Sequence, residues 1–275
     1  MAQQLESGRV CGKKSAECAV QPERVVKSER VIHSDRAAQP GKFVFPGSLK
    51  LHVQRLKKGQ QQEEYRKLFN LRYHVYCHEA HFLDPENYPS QQEMDEFDAV
   101  SEHFLATNAG NNHEMVGTVR LAMWSEELFF PTAAYFDNLI SELDRLNFPL
   151  KSTAEISRLC ISKLYRKRAI DGLLGIEGYT EQRDPRREYP QVILQLLKSM
   201  YQASKHELGI THWIATFEDC LLRMLGRYGF RMERISAEEI EYYGKVKIYG
   251  ASIQYMEDEL KASNPKLYDF ICGED

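Results

Sequence analysis

Residues 101–124 read SEHFLATNAGNNHEMVGTVRLAMW: two β-like runs, HFLAT and EMVGTVRLAMW, on either side of the turn-forming NAGNN. The pairing predicts an antiparallel hairpin. A third run, AEISRLCISK at residues 154–163, alternates with period two and predicts another strand. What flanks these three decides the class. Upstream, Lys50 to Leu56 (KLHVQRL) alternates like a strand, and Glu63 to Glu79 sets Tyr65, Leu68, Phe69, Tyr73 and Tyr76 at helical intervals, closing at Cys77. Downstream, Pro190 sits where a helix favours its first residue, and Val192, Ile193, Leu196, Leu197, Met200 and Ala203 form one apolar face that ends at Gly209. WIATF at 213–217 reads as a buried strand, and Asp219 is placed to cap the helix CLLRMLGRY, which stops at Gly229. The last β-like material lies at Arg231 to Ile235 and Val246 to Met256. Strands interleaved with helices predict an α/β fold on a mixed sheet, not a bundle or a sandwich.

Composition sets the boundaries. The chain has 275 residues, 43% hydrophobic and 28% charged, so it can bury a core and is neither a polyelectrolyte nor a membrane bundle. Lys and Arg number 36 against 40 Asp and Glu, a net charge of −4, which gives no overall field for nucleic acid. No run nears the roughly 18 apolar residues of a membrane span, and MAQQLESGRVCGKK lacks the apolar centre of a signal peptide. A cytoplasmic protein is expected. Cys11, Cys18, Cys77, Cys160, Cys220 and Cys272 include no CxxC pair, so no disulfide and no structural zinc are expected. Cys77, His78, Glu79 and His81 fail the HExxH spacing, and no metal site is predicted.

Residues 1–42 contain no Phe, Tyr or Trp and carry eight Lys/Arg against five acids. Such a segment cannot bury enough apolar area to offset the entropy of ordering it, so it reads as a flexible, disordered basic N-terminal tail. It is either a dispensable leader or a docking arm for an acidic partner. The remaining residues, 43–275, form the expected single domain.

Several charges interrupt otherwise core-like sequence, where an uncompensated charge is costly to bury. They are Arg72 in LFNLRYHVYCHEAHFL, Asp95 and Asp98 in EMDEFD, Arg120 in GTVRL, and Glu155 with Ser157 and Arg158 in EISRL. One reading is a purely structural ion-pair network in which Arg72, Arg120 and Arg158 neutralise Asp95, Asp98 and Glu155. The other is a functional site, because buried ion pairs add little net stability and six charged residues are an expensive way to organise a core. In a regular strand Glu155 and Ser157 face one side and Arg158 the other; a bulge changes that assignment.

The order and spacing of Arg72, Tyr76 and Phe82, then Asp95 and Asp98, then Arg120, then the ExSR of Glu155 to Arg158, resemble acyl-homoserine-lactone autoinducer synthases and the related N-acyl amino acid synthases. The segments LRYHVYCHEAHFL, EMDEFD, GTVRL and EISRLCISKLYRKR are most similar to acyltransferases associated with PEP-CTERM/exosortase systems. The resemblance covers roughly Phe69 to Arg168, and the C-terminal third resembles the end of GNAT-type N-acyltransferases in general.

That resemblance implies a GNAT-like mixed sheet, splayed at its centre and flanked by helices, with an acyl-thioester arm in the gap. It implies transfer of a fatty acyl group to the amine of an amino acid or related small metabolite, with Glu155 as general base and Ser157 and Arg158 beside it in the catalytic set. Arg72, Tyr76, Phe82, Asp95, Asp98 and Arg120 are the implied substrate-binding residues, and Arg120 and Arg158 are expected to orient Glu155 or contact the donor. The stretch YRKRAIDGLLG lacks the glycine spacing of an acetyl-CoA pyrophosphate loop, while Arg166, Lys167 and Arg168 supply positive charge. Acyl carrier protein is therefore expected as donor and partner ahead of CoA, with no tightly bound cofactor. Tyr76 and Phe82 stand where autoinducer synthases carry Phe and Trp, which counts against S-adenosylmethionine as acceptor. The alternatives are an autoinducer-type synthase that does use S-adenosylmethionine, and a non-catalytic module that binds acyl carrier protein or acyl lipids.

Overall fold

The computed structural model describes residues 49–166, 185–242 and 244–273. The tail at 1–42, and with it Cys11 and Cys18, lies outside the described residues, as do Lys167 and Arg168. The expected hairpin is present: β2 (Ser101–Asn108) pairs antiparallel with β3 (Glu114–Met123), Leu105 opposite Thr118. On one side β1 (Leu51–Leu56) adds to β2; on the other, β4 (Thr153–Ile161) adds to β3, both antiparallel. Next come β5 (His212–Phe217), parallel to β4, and β8 (Lys245–Ser252), antiparallel to β5. The short strands β6 (Glu233–Arg234) and β7 (Ile240–Glu241) both pair with β8. The sheet is therefore mixed, with one parallel join at its centre.

Both faces are covered. On one lie the helices α4 (Pro185–Ala203), α6 (Ile253–Ser263) and α7 (Pro265–Cys272), whose Val192, Leu196, Met200, Met256, Leu260 and Leu267 pack on Phe104, Val119, Ile156 and Trp213. Burial of alternate residues on one strand face and of one helical stripe drives this association. The opposite face carries α1 (Gln62–Tyr73), which places Leu68 on Leu56 and Leu105, and α2 (Leu139–Arg145), which places Leu139 and Leu143 with Phe130 and Ile214. The short helix α3 (Lys163–Arg166) follows β4, and α5 (Asp219–Arg227) follows β5. None of the described helices is long and apolar enough to cross a membrane.

Four sequence expectations need correction. The long helix is described over Pro185–Ala203, so Pro190 lies inside it and is not its first residue; only the apolar periodicity begins there. Asp219 is the first residue of α5 and not its cap: Glu218 holds the cap position, its carboxylate accepting from the Cys220 thiol at 3.3 Å and not from a backbone N–H of the helix. Val246 to Met256 is strand only to Ser252, whose hydroxyl accepts from the Tyr255 N–H and opens α6. The helix expected over Glu63 to Glu79 is α-helical to Tyr73 and then widens to π-helical turns over His74–Glu79. Gly209 does end the α4 segment, in the left-handed conformation at φ 65° that glycine adopts without strain.

Candidate active site

The parallel join is short. Thr153 to Ile156 pair with His212 to Ala215, and beyond Ile156 and Ala215 the two strands part while β4 continues to Ile161 and β5 to Phe217. Between them opens a cavity of about 300 Å³. Ser157, Arg158, Leu159, Cys160 and Ile161 line one wall, Thr216 and Phe217 another, and Tyr76, Phe82 and Tyr242 close it with aromatic surface.

Beside this gap β4 is irregular. Its register against β3 slips between Arg120, opposite Ser157, and Thr118, opposite Cys160, so that Arg158 and Leu159 together face Val119. Arg158 takes a positive φ of 50°. A bulge of this kind turns a residue out of its regular face, and it brings Arg158 round to the carboxylates that Arg120 also meets.

Those carboxylates come from one short segment. Asp95 and Asp98 form a reciprocal cap on the 3-10 turn Glu96–Val100: Asp95 Oδ1 accepts from the Phe97 N–H at 3.0 Å, and Asp98 Oδ2 from the Asp95 N–H at 2.8 Å. Glu93 is anchored by its own N–H to the Phe69 carbonyl at 3.1 Å. The three arginines arrive from three elements. Arg72, in the last turn of α1, pairs with Glu93 and with Asp98 at 2.7 Å. Arg120 of β3 pairs with Asp95 and with Asp98 at 3.0 Å, and its Nε donates to Ser157 Oγ at 3.0 Å. Arg158 reaches Glu93 at 3.0 Å and Asp95 at 2.8 Å, and donates to the Tyr242 hydroxyl at 3.1 Å. Each guanidinium also lies over an aromatic ring: Arg72 over Phe69, Arg120 over Phe97, Arg158 over Tyr76.

Three cations thus meet three anions. The expected network exists, but Glu93 occupies the place assigned to Glu155. Burial opposes ionisation of Asp98, yet Arg72 and Arg120 hold its carboxyl well below the usual carboxylate range. Burial likewise opposes the charges on Arg72 and Arg158; Glu93 with Asp98 outweighs it at Arg72, and Glu93 with Tyr242, Tyr76 and Asp95 outweighs it at Arg158.

Glu155 stands apart from these pairs. Its side chain is fully buried; Oε2 accepts from the Thr132 N–H at 3.0 Å and Oε1 from the Thr132 hydroxyl at 2.7 Å. Burial pushes its carboxyl up to about 7, although Thr132 and the charges of Arg120 and Arg158 work in the other direction. Arg120 and Arg158 therefore act on Glu155 through space and do not orient it by contact, as the sequence had suggested.

Of the residues singled out in the sequence, Ser157, Arg158, Tyr76, Phe82 and Arg166 line the cavity. Arg72, Asp95, Asp98 and Arg120 form the charged layer next to it, and Glu155 is not among the lining residues. Arg166 is engaged, donating to the Ile161 carbonyl at 2.6 Å and pairing with Glu79. Sequence reasoning missed Glu93, Thr132 and Tyr242. Glu93 had a signal, as the first acid of the quoted EMDEFD run; Thr132 and Tyr242 come from loops with no periodicity to mark them.

Residues 71–175 match the acetyltransferase (GNAT) domain family. The structure is similar to that of the acyl-homoserine-lactone synthase LasI, with a TM-score of 0.53 at 13% identity over 78% of this chain and 94% of that one. It is similar to the CoA-dependent acyl-homoserine lactone synthase BjaI, solved with SAM and isopentyl-CoA, at 0.53 and 15% over 79% of this chain and 90% of that one. A third likeness, to FeeM, an N-acyl amino acid synthase from uncultured soil microbes, has a TM-score of 0.46 at 13% identity over 78% of this chain and 97% of that one. No curated protein sequence matches. The fold is GNAT-like, as the sequence led us to expect, and the enzyme class expected from the motifs, an acyltransferase, agrees with the domain match.

Proposed function

We propose that the chain is an N-acyltransferase, moving a fatty acyl group from an acyl-carrier-protein or CoA thioester to the amine of an amino acid or related small metabolite. The observation that carries this reading is the parting of β4 and β5 beyond Ile156 and Ala215, with an aromatic-walled cavity between them. Two strands that stop pairing with each other part-way along suit a thread that carries its own amides, such as a pantetheine arm, since backbone groups removed from water seek hydrogen bonds.

The chemistry follows from the neighbours of the gap. An amine nitrogen attacks the thioester carbonyl carbon, the C–N bond forms, the C–S bond breaks and the thiol leaves. The amine must lose a proton, and an α-amine with a pKa of roughly 7.7–8.0 is matched by a carboxylate that titrates near neutrality. Glu155, raised to about 7, has that property and would take the proton through water, since it does not line the cavity. Ser157 is two residues on, within the lining; its oxygen accepts from Arg120, leaving its own proton to donate into the gap. The backbone N–H groups at the Arg158–Leu159 bulge are candidates for the developing oxyanion.

For the donor we favour acyl carrier protein, on the positive charge of Arg166, Lys167 and Arg168 and the lack of a glycine-spaced loop. The sequence likeness to exosortase-associated acyltransferases gives the physiological setting we favour. The test is incubation with octanoyl and palmitoyl thioesters of carrier protein and of CoA in the presence of an amine pool, read by mass spectrometry. Acyl amide formation that falls about 100-fold or more in Glu155→Gln supports the reading; undiminished turnover by that variant rejects Glu155 as base. Methylthioadenosine released from S-adenosylmethionine would assign the autoinducer-type reaction instead, and acyl-chain binding without product from any amine would assign a binding module.

A further inference from the structure

The turn after Phe130 serves the buried carboxylate in a way the family resemblance did not indicate. Pro131 starts the 3-10 turn Pro131–Ala134, which is closed by the Ala133 N–H on the Phe130 carbonyl at 2.9 Å and the Tyr135 N–H on the Thr132 carbonyl at 3.0 Å. Phe130 and Thr132 are almost wholly buried, at 0% and 1% exposure, so the turn is fixed in the body of the domain. Thr132 presents two donors in one direction, and each meets a different oxygen of Glu155.

Among the described residues, the other surroundings of that carboxylate offer no such hold. Its cross-strand neighbours are Ala122 on β3 and Ile214 on β5, both apolar. The charges that act on it are Arg120 from β3 and Arg158 from β4, and both guanidiniums are hydrogen-bonded to Glu93, Asp95, Asp98, Ser157 or Tyr242.

We propose that Thr132 is a positioning residue for the base, its hydroxyl and backbone N–H jointly fixing the Glu155 carboxylate and stabilising its ionised form. The proposal rests on the reading of Glu155 as general base and names the residue that makes it one. A carboxylate buried among apolar neighbours drifts to the neutral acid, which cannot accept a proton; at Glu155 the two hydrogen bonds from Thr132 oppose this first, ahead of the charges of Arg120 and Arg158. Valine at 132 keeps the β-branched shape and the N–H and removes only the hydroxyl donor.

The test follows the carboxyl directly. With 13C-labelled glutamate, the Glu155 carboxyl signal is identified by its absence from Glu155→Gln, and its titration is compared in wild type, Thr132→Val, Thr132→Cys and Thr132→Ser. The expected result is an upward shift of about 1 pH unit in the valine variant, the size of one hydrogen bond to a charged group. A smaller upward shift is expected with cysteine, a weaker donor of similar volume that carries the test if the valine variant does not fold, and the wild-type midpoint with serine. An unchanged midpoint in valine or cysteine overturns the proposal. In parallel, the acid limb of kcat/KM with octanoyl-CoA and the amine pool should move with the carboxyl. A carboxyl that shifts while the limb stays in place upholds Thr132 as the holder of Glu155 and removes Glu155 as the base.

Discussion

Arg158 and Tyr242, 84 residues apart in the chain, meet across the cavity: the guanidinium of the bulged β4 residue donates to the phenol oxygen at 3.1 Å, and the ring of Tyr242 packs edge-on against Tyr135. The contact ties the β4 wall to the segment after β7. Tyr242→Phe keeps the ring contact and removes the acceptor. A hydrogen bond to a charged group contributes about 1.5–3 kcal/mol, so we expect a loss near the lower figure in urea unfolding, together with a raised KM for the acyl donor.

Glu93 bridges two buried cations, Arg72 and Arg158. Glu93→Ala leaves both without that counter-charge, which in a buried site costs roughly 3–5 kcal/mol. Glu93→Gln retains the shape and should cost less. At the surface, Glu63→Ala breaks only exposed pairs with Arg66 and Lys67, and its unfolding midpoint should stay close to wild type. Equal midpoints for the two alanine variants would show that Glu93 is not the keystone described.

Two buried groups give the stability curve opposite slopes. Glu155 titrates higher in the folded protein, at about 7, than the roughly 4.3 of an unfolded chain, so its contribution is complete below the lower value and is lost as pH rises through the upper one. Stability should therefore fall between pH 5 and 8, and Glu155→Gln should flatten that fall. Stability that runs parallel in both proteins over this range would contradict the shift.

His103 acts at the acid end. Burial holds its imidazole down to about 4, against the pull of Asp98 at 3.7 Å, and its ring sits edge-on to Tyr65 and Phe69. Its contribution is complete above the ordinary value of about 6.5 and is lost as pH falls through the folded value. His103→Phe keeps the aromatic contacts and removes the titration, so the variant should lose less stability than wild type between pH 6.5 and 4.

Gly250 on β8 admits no side chain. A methyl built there would stand 2.7 Å from Ile235 Cδ1 and 2.8 Å from Phe148 Cε1, closer than carbon atoms approach. Gly250→Ala must displace both, and we expect about 1–3 kcal/mol of destabilisation from overpacking, measured as a lower denaturation midpoint.

The sheet was legible where short apolar runs stand between turn residues. HFLAT, EMVGTVRLAMW, AEISRLCISK and WIATF became β2 to β5, central strands buried over most of their length on both faces. Val246 to Met256 misled because a strand and a helix adjoin there without a break in hydrophobicity, and only Ser252 marks the change. In the site, Arg72, Arg120 and Arg158 were legible as charges out of place, and their convergence followed. Their counter-ions were less so: Asp95 and Asp98 stood out as members of the acidic EMDEFD run, whereas Glu155 looked like the third acid because it lies in the same EISRL stretch as Arg158. The bulge at Arg158 and the pinning of Glu155 by Thr132 depend on contacts 65 and 23 residues apart, which no local pattern encodes.

The four-rung ladder from Thr153 to Ile156 divides the sheet into two panels joined along a short seam. One panel is the antiparallel set β1 to β4, the other β5 to β8, and on one side the apolar layer under Pro185–Ala203 spans the seam like a strap. A guest that bonds to both open edges would lengthen that ladder from outside. Occupancy should then slow amide exchange along the seam itself, so that the molecule stiffens when loaded and loosens on release.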